Sequence, residues 1–175
     1  LRQRVEFANQ EIFPPNQSIL LSLHCNSFKD RRIHGMESFK FDLDATDELA
    51  AELVERENAQ EEVDKFDFMI ISLRKRGNEK YTRQVAQILQ ELLVSQLGVK
   101  NRNLSASEKT GVRGAPFYIL AWTKMPSILL ELGFISNDVE RKKMTEEKYQ
   151  KEIASTLVRG IKKFDRQLQI GAIVP

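Results

Sequence analysis

A histidine and a glutamate, each next to an apolar run, are the residues of this chain best suited to chemistry. His24 lies in Ser-Leu-His-Cys-Asn at positions 22–26, where a strand-like apolar run ends. Glu131 lies in Ile-Leu-Leu-Glu-Leu-Gly-Phe-Ile-Ser-Asn at positions 128–137. If both runs are strands of one sheet, an imidazole and a carboxylate meet at one edge of that sheet. Together they would form a candidate metal-hydrolase site.

Each of these residues also has a purely structural interpretation. A lone histidine at the end of an apolar run is more often a hydrogen-bonded packing residue than a metal ligand. Glu131 points more strongly to function, because apolar residues surround it and a carboxylate buried without a partner is costly. Its alternative is a structural ion pair with an arginine such as Arg4 or Arg113. His34, the other histidine, lies in a polar loop and is predicted to be exposed and incidental.

The two residues need a sheet to position them, and the chain alternates strand-like and helical patterns. Strands are predicted over 18–24, 35–41, 115–120 and 127–132. A first helix is predicted over 44–66, and a break at Gly77-Asn78 separates it from a second helix. This second helix carries an apolar stripe from Tyr81 to Leu97 and is capped by Gly98. Two more helices are predicted, a short one capped by residues 136–138 and a last one from 145 onwards. This alternation predicts an α/β fold, a mixed twisted sheet flanked by helices on both faces in a single domain. Both site residues would then lie at the carboxyl ends of strands.

Composition narrows the function classes. The chain has 175 residues, of which 41% are apolar, and this fits one domain with a continuous core. Twenty-seven basic residues against 25 acidic ones give a net charge of +2, too balanced for nucleic acid to be the main partner. No apolar run approaches 18 residues, so no membrane span is predicted. Residues 1–9 lack a signal-peptide layout, so any targeting region would lie outside this sequence.

Cysteine usage excludes two kinds of site. The single cysteine, Cys25, rules out an intrachain disulfide and a zinc site built from several cysteines. On a strand it points away from the face that carries His24, so the two residues are not expected to bind one ion. Cys25 is predicted to be a small core residue.

Several motifs fall in the order found in a known enzyme family. They are Arg4 with Ala8-Asn9, Ser-x-His-x-Asn at 22–26, Gly-x-Glu-x-x-x-Phe at 35–41, Arg-Glu-Asn-Ala at 56–59, Gly-Val-Arg-Gly-Ala-Pro-Phe-Tyr-Ile-Leu at 111–120 and the run 126–137. In this order they resemble the zinc-dependent N-acetylmuramoyl-L-alanine amidases of the Amidase_3 type, which are bacterial cell-wall hydrolases. The resemblance covers most of the chain, and Glu-Leu-Gly-Phe-Ile-Ser-Asn is its most specific part.

The resemblance implies roles for both opening residues. By resemblance, His24 is a ligand of a catalytic Zn²⁺ and Glu131 is the catalytic carboxylate of an amidase-like catalytic domain over 1–175. The bond implied is the amide that joins the lactyl group of N-acetylmuramic acid to L-alanine in peptidoglycan. Zinc lowers the pKa of a bound water to about 7, and a nearby glutamate can accept the water proton. The resemblance also implies a monomer in the periplasm or outside the cell, with a role in cell division.

The chain departs from the family pattern at its beginning. The family's first zinc histidine, in a Gly-His-Gly-type turn, and its glutamate ligand both precede the position of Leu1. We therefore expect the sequence to be N-terminally incomplete, and a site with one histidine to bind zinc weakly. The alternative is a catalytically silent domain that keeps the scaffold and binds the cell wall or a regulatory partner.

The helical region 44–77 suggests regulation. Some members of the family carry a helical insertion here that covers the zinc and is displaced by an activator protein. The acidic side chains in this region that could reach the cleft are Glu55, Glu57, Glu61 and Glu62. The alternative is a plain surface helix, because acidic runs are usually solvated helix faces.

Overall fold

Four strands form one sheet in the order β1-β4-β2-β3. The computed structural model describes residues 1–10, 12–15, 17–61, 64–103 and 112–169. The strands are β1 (Leu20–Asn26), β2 (Glu37–Phe41), β3 (Arg113–Ala115) and β4 (Ser127–Phe134). In the described part of the chain the helices are α1 (Arg2–Ala8), α2 (Glu48–Glu57), α3 (Lys65–Leu97), α4 (Tyr118–Trp122), α5 (Asp138–Met144) and α6 (Glu147–Gln169). The predicted α/β class is confirmed.

The predicted helix break at Gly77-Asn78 is wrong. Helix α3 runs without interruption for 33 residues and ends at Leu97, where Gly98 takes a positive φ of 61°, as the predicted cap requires. A glycine inside a helix costs about 1 kcal/mol relative to alanine. That cost is outweighed because α3 is anchored on both sides of Gly77, by Lys75 at its first half and by the fully buried Leu89 at its second.

The strand predicted over 115–120 is also wrong beyond its first residue. Strand β3 ends at Ala115, and the following apolar residues form α4. Pro116 has no amide proton to continue a ladder. The side chain of Asn58 accepts a hydrogen bond of 2.9 Å from the amide of Tyr118, at the start of α4. Because α4 is buried almost all round, its apolar run has no helical period that the sequence could reveal.

The residues divide by their contacts into two compact units, of which the first comprises 1–22, 39–83 and 113–129. Strand β3 lies parallel to β2 there, with Phe39 opposite Arg113. Arg113 is buried, forms an ion pair with Asp47 and lies over the ring of Phe39. The core of this unit contains Val5, Phe39, Ala50, Leu53, Ala115, Phe117, Tyr118, Ile119, Leu120 and Leu129. Helix α2 is thereby tied to the edge of the sheet.

The second unit comprises 23–38, 84–112 and 130–175, described up to 103 and from 112 to 169. On α6, Ile153, Leu157 and Phe164 are buried. Gly160 lets α6 approach α3 closely, because a Cβ there would lie 2.5 Å from a methyl carbon of Leu89. This unit therefore packs α6 against the second half of α3 at Gly160.

Buried polar contacts hold the loop before β2 in this second unit. The side-chain amide of Gln90 donates to the carbonyl of Met36 and to Oδ1 of Asn101, both at 2.9 Å. The guanidinium of Arg102 donates to the buried carboxylate of Glu37 at 2.6 Å. The start of β2 is fixed by these side chains. No helix in the described part of the chain is long and apolar enough to cross a membrane.

Candidate metal centre

Three side chains that can bind a metal converge in the structure: His24, Glu57 and Glu131. Each offers one ligand atom, and these atoms all lie within 4.8 Å of one another. His24 is on β1 and Glu131 is on β4, which are neighbours in the sheet. The meeting of His24 and Glu131 that the sequence predicts is therefore observed, and Glu57, the last residue of α2, joins them.

Strand β1 directs His24 by simple alternation. Successive side chains of a strand point to opposite faces, so Ser22, His24 and Asn26 share one face while Leu23 and Cys25 share the other. Ser22 and Asn26 are buried, whereas Leu23 is 50% exposed and Cys25 is exposed. The prediction that Cys25 is a core residue is wrong, because the side chains on its face of β1, Leu23 and Cys25, are exposed.

Glu131 lies inside β4, a strand that is buried along most of its length. Its residues Ser127, Ile128, Leu129 and Leu130 are all buried, and Glu131 itself is 1% exposed. The carboxylate acts on Cys25: partial desolvation of the thiol, and after it the charge of Glu131, raises the pKa of this otherwise exposed residue. A carboxylate at this depth is the feature that made the sequence pattern unusual.

The turn after β4 is held by Glu140. Its carboxylate accepts hydrogen bonds from the amides of Phe134 at 2.7 Å and Gly35 at 2.8 Å. Gly133 takes a φ of 146°, a backbone conformation that side chains rarely adopt, and a Cβ there would lie 3.1 Å from a carboxylate oxygen of Glu140. The glycine of the motif is therefore required by the geometry of this turn.

The remaining Ile-Ser-Asn of the motif binds β4 to the loop that follows β1. The amide of Ile135 donates to the carbonyl of Asn26 at 2.8 Å, and the hydroxyl of Ser136 accepts from the amide of Phe28 at 3.0 Å. Asn137 caps α5, as predicted, and its side chain also donates to the carbonyl of Arg31. These contacts join the segment that begins at Asn26, just after His24, to the segment that begins at Ile135, just after β4.

Glu57 is held in place by its neighbour along the chain. The side chain of Asn58 donates to the carbonyl of Pro116 and accepts from the amide of Tyr118, both at 2.9 Å. At the other end of α2, Asp47 accepts from the amide of Ala50 and pairs with Arg113. From the sequence, Glu57 was predicted only as an acidic side chain of a helix that could cover the cleft. The available signal was its place in Arg-Glu-Asn-Ala, whose asparagine anchors the helix end.

Other residues of the sequence prediction lie elsewhere. His34 is exposed and its ring contacts the carbonyl of Arg32 at 2.8 Å, so it takes no part in this group. Glu61 pairs with the guanidinium of Arg2 at 3.1 Å. Glu55 is exposed, and Glu62 lies outside the described residues.

The donor set suits a zinc ion. An imidazole nitrogen and a carboxylate oxygen are ligands that catalytic zinc sites use, with bonds of about 2.0–2.2 Å, and a second carboxylate beside the ion can serve as a base. Two ligand atoms around a tetrahedral ion are then about 3.4 Å apart. Separations within 4.8 Å therefore need only a small contraction to reach that geometry. The chemistry that follows is activation of a water molecule and polarisation of a carbonyl group.

A family model matches almost the whole chain. Residues 1–163 match the Amidase_3 family, described as N-acetylmuramoyl-L-alanine amidase. The amidase AmiC of Escherichia coli O6:H1 is 26% identical over 175 residues, covering 89% of this chain and 40% of that protein. The uncharacterized protein YqiI of Bacillus subtilis is 38% identical over 80 residues, covering 46% of this chain and 35% of that protein. The chain thus spans 35–40% of the length of these two curated relatives.

Solved structures share the fold. The N-acetylmuramoyl-L-alanine amidase of Clostridium difficile 630 superposes with a TM-score of 0.60 at 22% identity, covering 93% of this chain and 63% of that one. The CwlD amidase of Clostridioides difficile, solved in complex with the GerS lipoprotein, gives a TM-score of 0.58 at 21% identity, covering 93% of this chain and 60% of that one. At these identities the superpositions establish the fold.

Proposed function

Because the chain belongs to the N-acetylmuramoyl-L-alanine amidase family Amidase_3, we propose that it is the zinc-dependent part of a peptidoglycan hydrolase. The bond cleaved is the amide between N-acetylmuramic acid and L-alanine of the stem peptide. The observation that carries this proposal is the convergence of His24 and Glu131 from neighbouring strands. The family match supports the substrate class.

The three converging side chains have distinct tasks in this proposal. His24 and Glu57 hold the ion, which supplies an activated water and polarises the amide carbonyl when bound. Glu131 accepts the proton of the attacking water and returns it to the nitrogen of the leaving L-alanine. Glu131 is buried inside β4, and its ligand atom lies within 4.8 Å of those of His24 and Glu57, which keeps its carboxylate close to the water that the ion would activate.

Release of stem peptide from purified peptidoglycan tests this assignment. Glu131→Gln keeps the size of the side chain and removes the base, so we expect hydrolysis to fall at least a hundredfold, within the range that general bases contribute. His34→Ala is the matched control, because His34 is exposed and lies in a loop. Equal hydrolysis by Glu131→Gln and the parent protein would reject the role of Glu131. Full activity in the control is required for the comparison.

A regulatory role for the region 44–77 extends the proposal. Helix α2 lies in this region and ends at Glu57, so a partner that holds α2 in place against β3 would keep a carboxylate at the ion. The CwlD amidase was solved with a lipoprotein partner, and we propose that an activator protein acts on this region here. Under this proposal the activator raises the zinc affinity and the hydrolysis rate of the parent protein, and Glu57→Gln abolishes both increases. Equal increases in the parent protein and in Glu57→Gln would reject it.

The proposed substrate sets the location. Peptidoglycan lies outside the cytoplasmic membrane, so the proposed site of action is the periplasm or the cell exterior. A relative from Bacillus anthracis is named as a cell wall amidase, which agrees with this location. Fractionation of cells that express the protein, followed by immunodetection, tests this location. Recovery with the cytoplasmic fraction alone would contradict it.

A further inference from the structure

A cavity of about 400 Å³ opens in the first unit, and none of the three converging metal-binding residues lines it. One wall is the first half of α3, and the other is the chain from Ala121 to Lys124 after α4. Ile70, Ile71 and Trp122 make its apolar surface. Trp122 is held rigidly, because its ring stacks on Tyr118 with centroids 4.7 Å apart and meets the ring of Phe68 at 5.3 Å.

Cations dominate the polar part of this cavity. Arg74, Lys75 and Lys124 line it, against one acid, Asp67. Arg74 and Lys124 are exposed at the rim, so both can turn toward a ligand. Asp67 lies in the first turn of α3, where the positive end of the helix dipole already offsets a negative charge. The cavity therefore favours an anion.

Lys75 is the unusual member of the lining. Its ammonium donates to the carbonyl of Thr123, and at the longer distance of 3.4 Å to the carbonyl of Met125 and the hydroxyl of Ser127. Among the described residues no carboxylate forms an ion pair with it. Burial lowers the pKa of Lys75 to about 8. A buried cation without a counter-ion is costly, and an anion in the cavity would remove that cost.

We propose that this cavity binds a carboxylate that carries a small apolar substituent, the chemistry of a peptide carboxyl terminus. The guanidinium of Arg74 would donate hydrogen bonds to the two carboxylate oxygens, a geometry that arginine matches well, and the positive charge of Lys75 would offset the charge of the carboxylate. The apolar surface of Ile70, Ile71 and Trp122 would receive the side chain. Only the source of the carboxylate, the end of a peptidoglycan stem peptide, rests on the proposed function.

The chain carries its own probe for this cavity. Trp122 is the one tryptophan in the sequence, so its fluorescence reports on the wall of the cavity alone. We expect N-acetyl-D-alanine to change this fluorescence in a saturable way. The neutral methylamide of N-acetyl-D-alanine is expected to give no saturable change, because it lacks the charge. Glycerol 3-phosphate serves as a third ligand, which represents the phosphate of other wall polymers.

Two variants locate the binding. Arg74→Gln changes an exposed side chain and Lys75→Met removes the buried ammonium; each is expected to weaken binding of N-acetyl-D-alanine at least tenfold. Lys148→Met, an exposed change on α6, is the control. Saturable binding of the methylamide with equal affinity, binding of glycerol 3-phosphate only, no saturable binding, or unchanged affinity in Arg74→Gln would each overturn the proposal. The fluorescence measurement does not depend on hydrolysis. Its result therefore tests the cavity even if the proposed amidase activity is rejected.

Discussion

The carboxylate of Glu140 lies directly against the backbone of Gly133, so that a single added methyl group at that position would reach within 3.1 Å of a carboxylate oxygen. The same carboxylate accepts the amide proton of Phe134 at 2.7 Å. The two contacts define the turn that ends β4, two residues after Glu131. The glycine of the motif is thus a structural requirement of the strand that carries the proposed base.

Gly133→Ala is expected to destabilise the protein. The positive φ disfavours alanine by about 1–3 kcal/mol, and the contact with Glu140 adds to the strain. Gly77→Ala is the matched control. Nothing lies within 4 Å of a Cβ at position 77 in α3, so this change is expected to stabilise by about 0.5–1 kcal/mol. Denaturant titrations measure the free energy of unfolding of both variants. Equal effects of the two substitutions would contradict the assigned geometry of the turn.

Cys25 is expected to report the charge of Glu131. The pKa of the thiol is raised by burial and by Glu131, and the thiolate is the reactive form. Glu131→Gln removes the charge, lowers the pKa of Cys25 and should speed its alkylation by iodoacetamide at pH 8. Cys25 is the single thiol in the sequence, so the rate of labelling is unambiguous.

Glu146→Gln is the control for this labelling, because Glu146 is an exposed carboxylate at the start of the last helix. Its alkylation rate is expected to equal that of the parent protein. If Glu131→Gln left the rate unchanged as well, the thiol and the carboxylate would not be close enough to interact, and the packing of β1 beside β4 would be wrong.

Lys75 predicts a pH dependence of stability. The pKa of its ammonium is about 8 in the folded protein and 10.5 in its ordinary state. Between these values the unfolded chain keeps a proton that the folded chain has released, so the free energy of unfolding rises with pH in this window. The rise from this group is at most about 3 kcal/mol, since one pKa unit corresponds to about 1.4 kcal/mol.

Lys75→Met removes the ionisable group at position 75 and leaves the other titratable groups of the protein unchanged. The difference in unfolding free energy, parent minus Lys75→Met, is therefore expected to increase from pH 7 to pH 10.5 in denaturant titrations. A difference that stays flat or decreases over this range would show that the ammonium of Lys75 is as favourable inside the fold as in water.

The sequence predicted the elements that have a clear period or a clear end. The stripe of α3 and its Gly98 cap, the Asn137 cap of α5, and the strands β1, β2 and β4 carry local signals that tertiary contacts reinforce. Helix α4 was predicted as a strand, because its buried apolar run has no period. The continuity of α3 through Gly77 depends on anchoring by Lys75 and Leu89, which no local pattern reveals.

The candidate site was predictable in part for the same reason. His24 and Glu131 are marked by apolar runs that end on, or contain, a polar residue. Glu57 sits in an acidic stretch where its neighbours Glu55 and Glu61 look alike. It is distinguished only by Asn58, whose side chain joins the end of α2 to Pro116 and Tyr118 across the fold. That contact depends on tertiary structure.

Zinc binding measured by calorimetry in a double-mutant cycle of His24→Ala and Glu131→Gln tests the central claim most directly, with His34→Ala as the control. If both side chains act on one ion, each single change weakens binding and the double change costs less than the sum of the two. His34→Ala should bind as the parent does. Strictly additive losses, or zinc affinity that is unchanged when His24 is removed, would contradict a shared ion at these two residues.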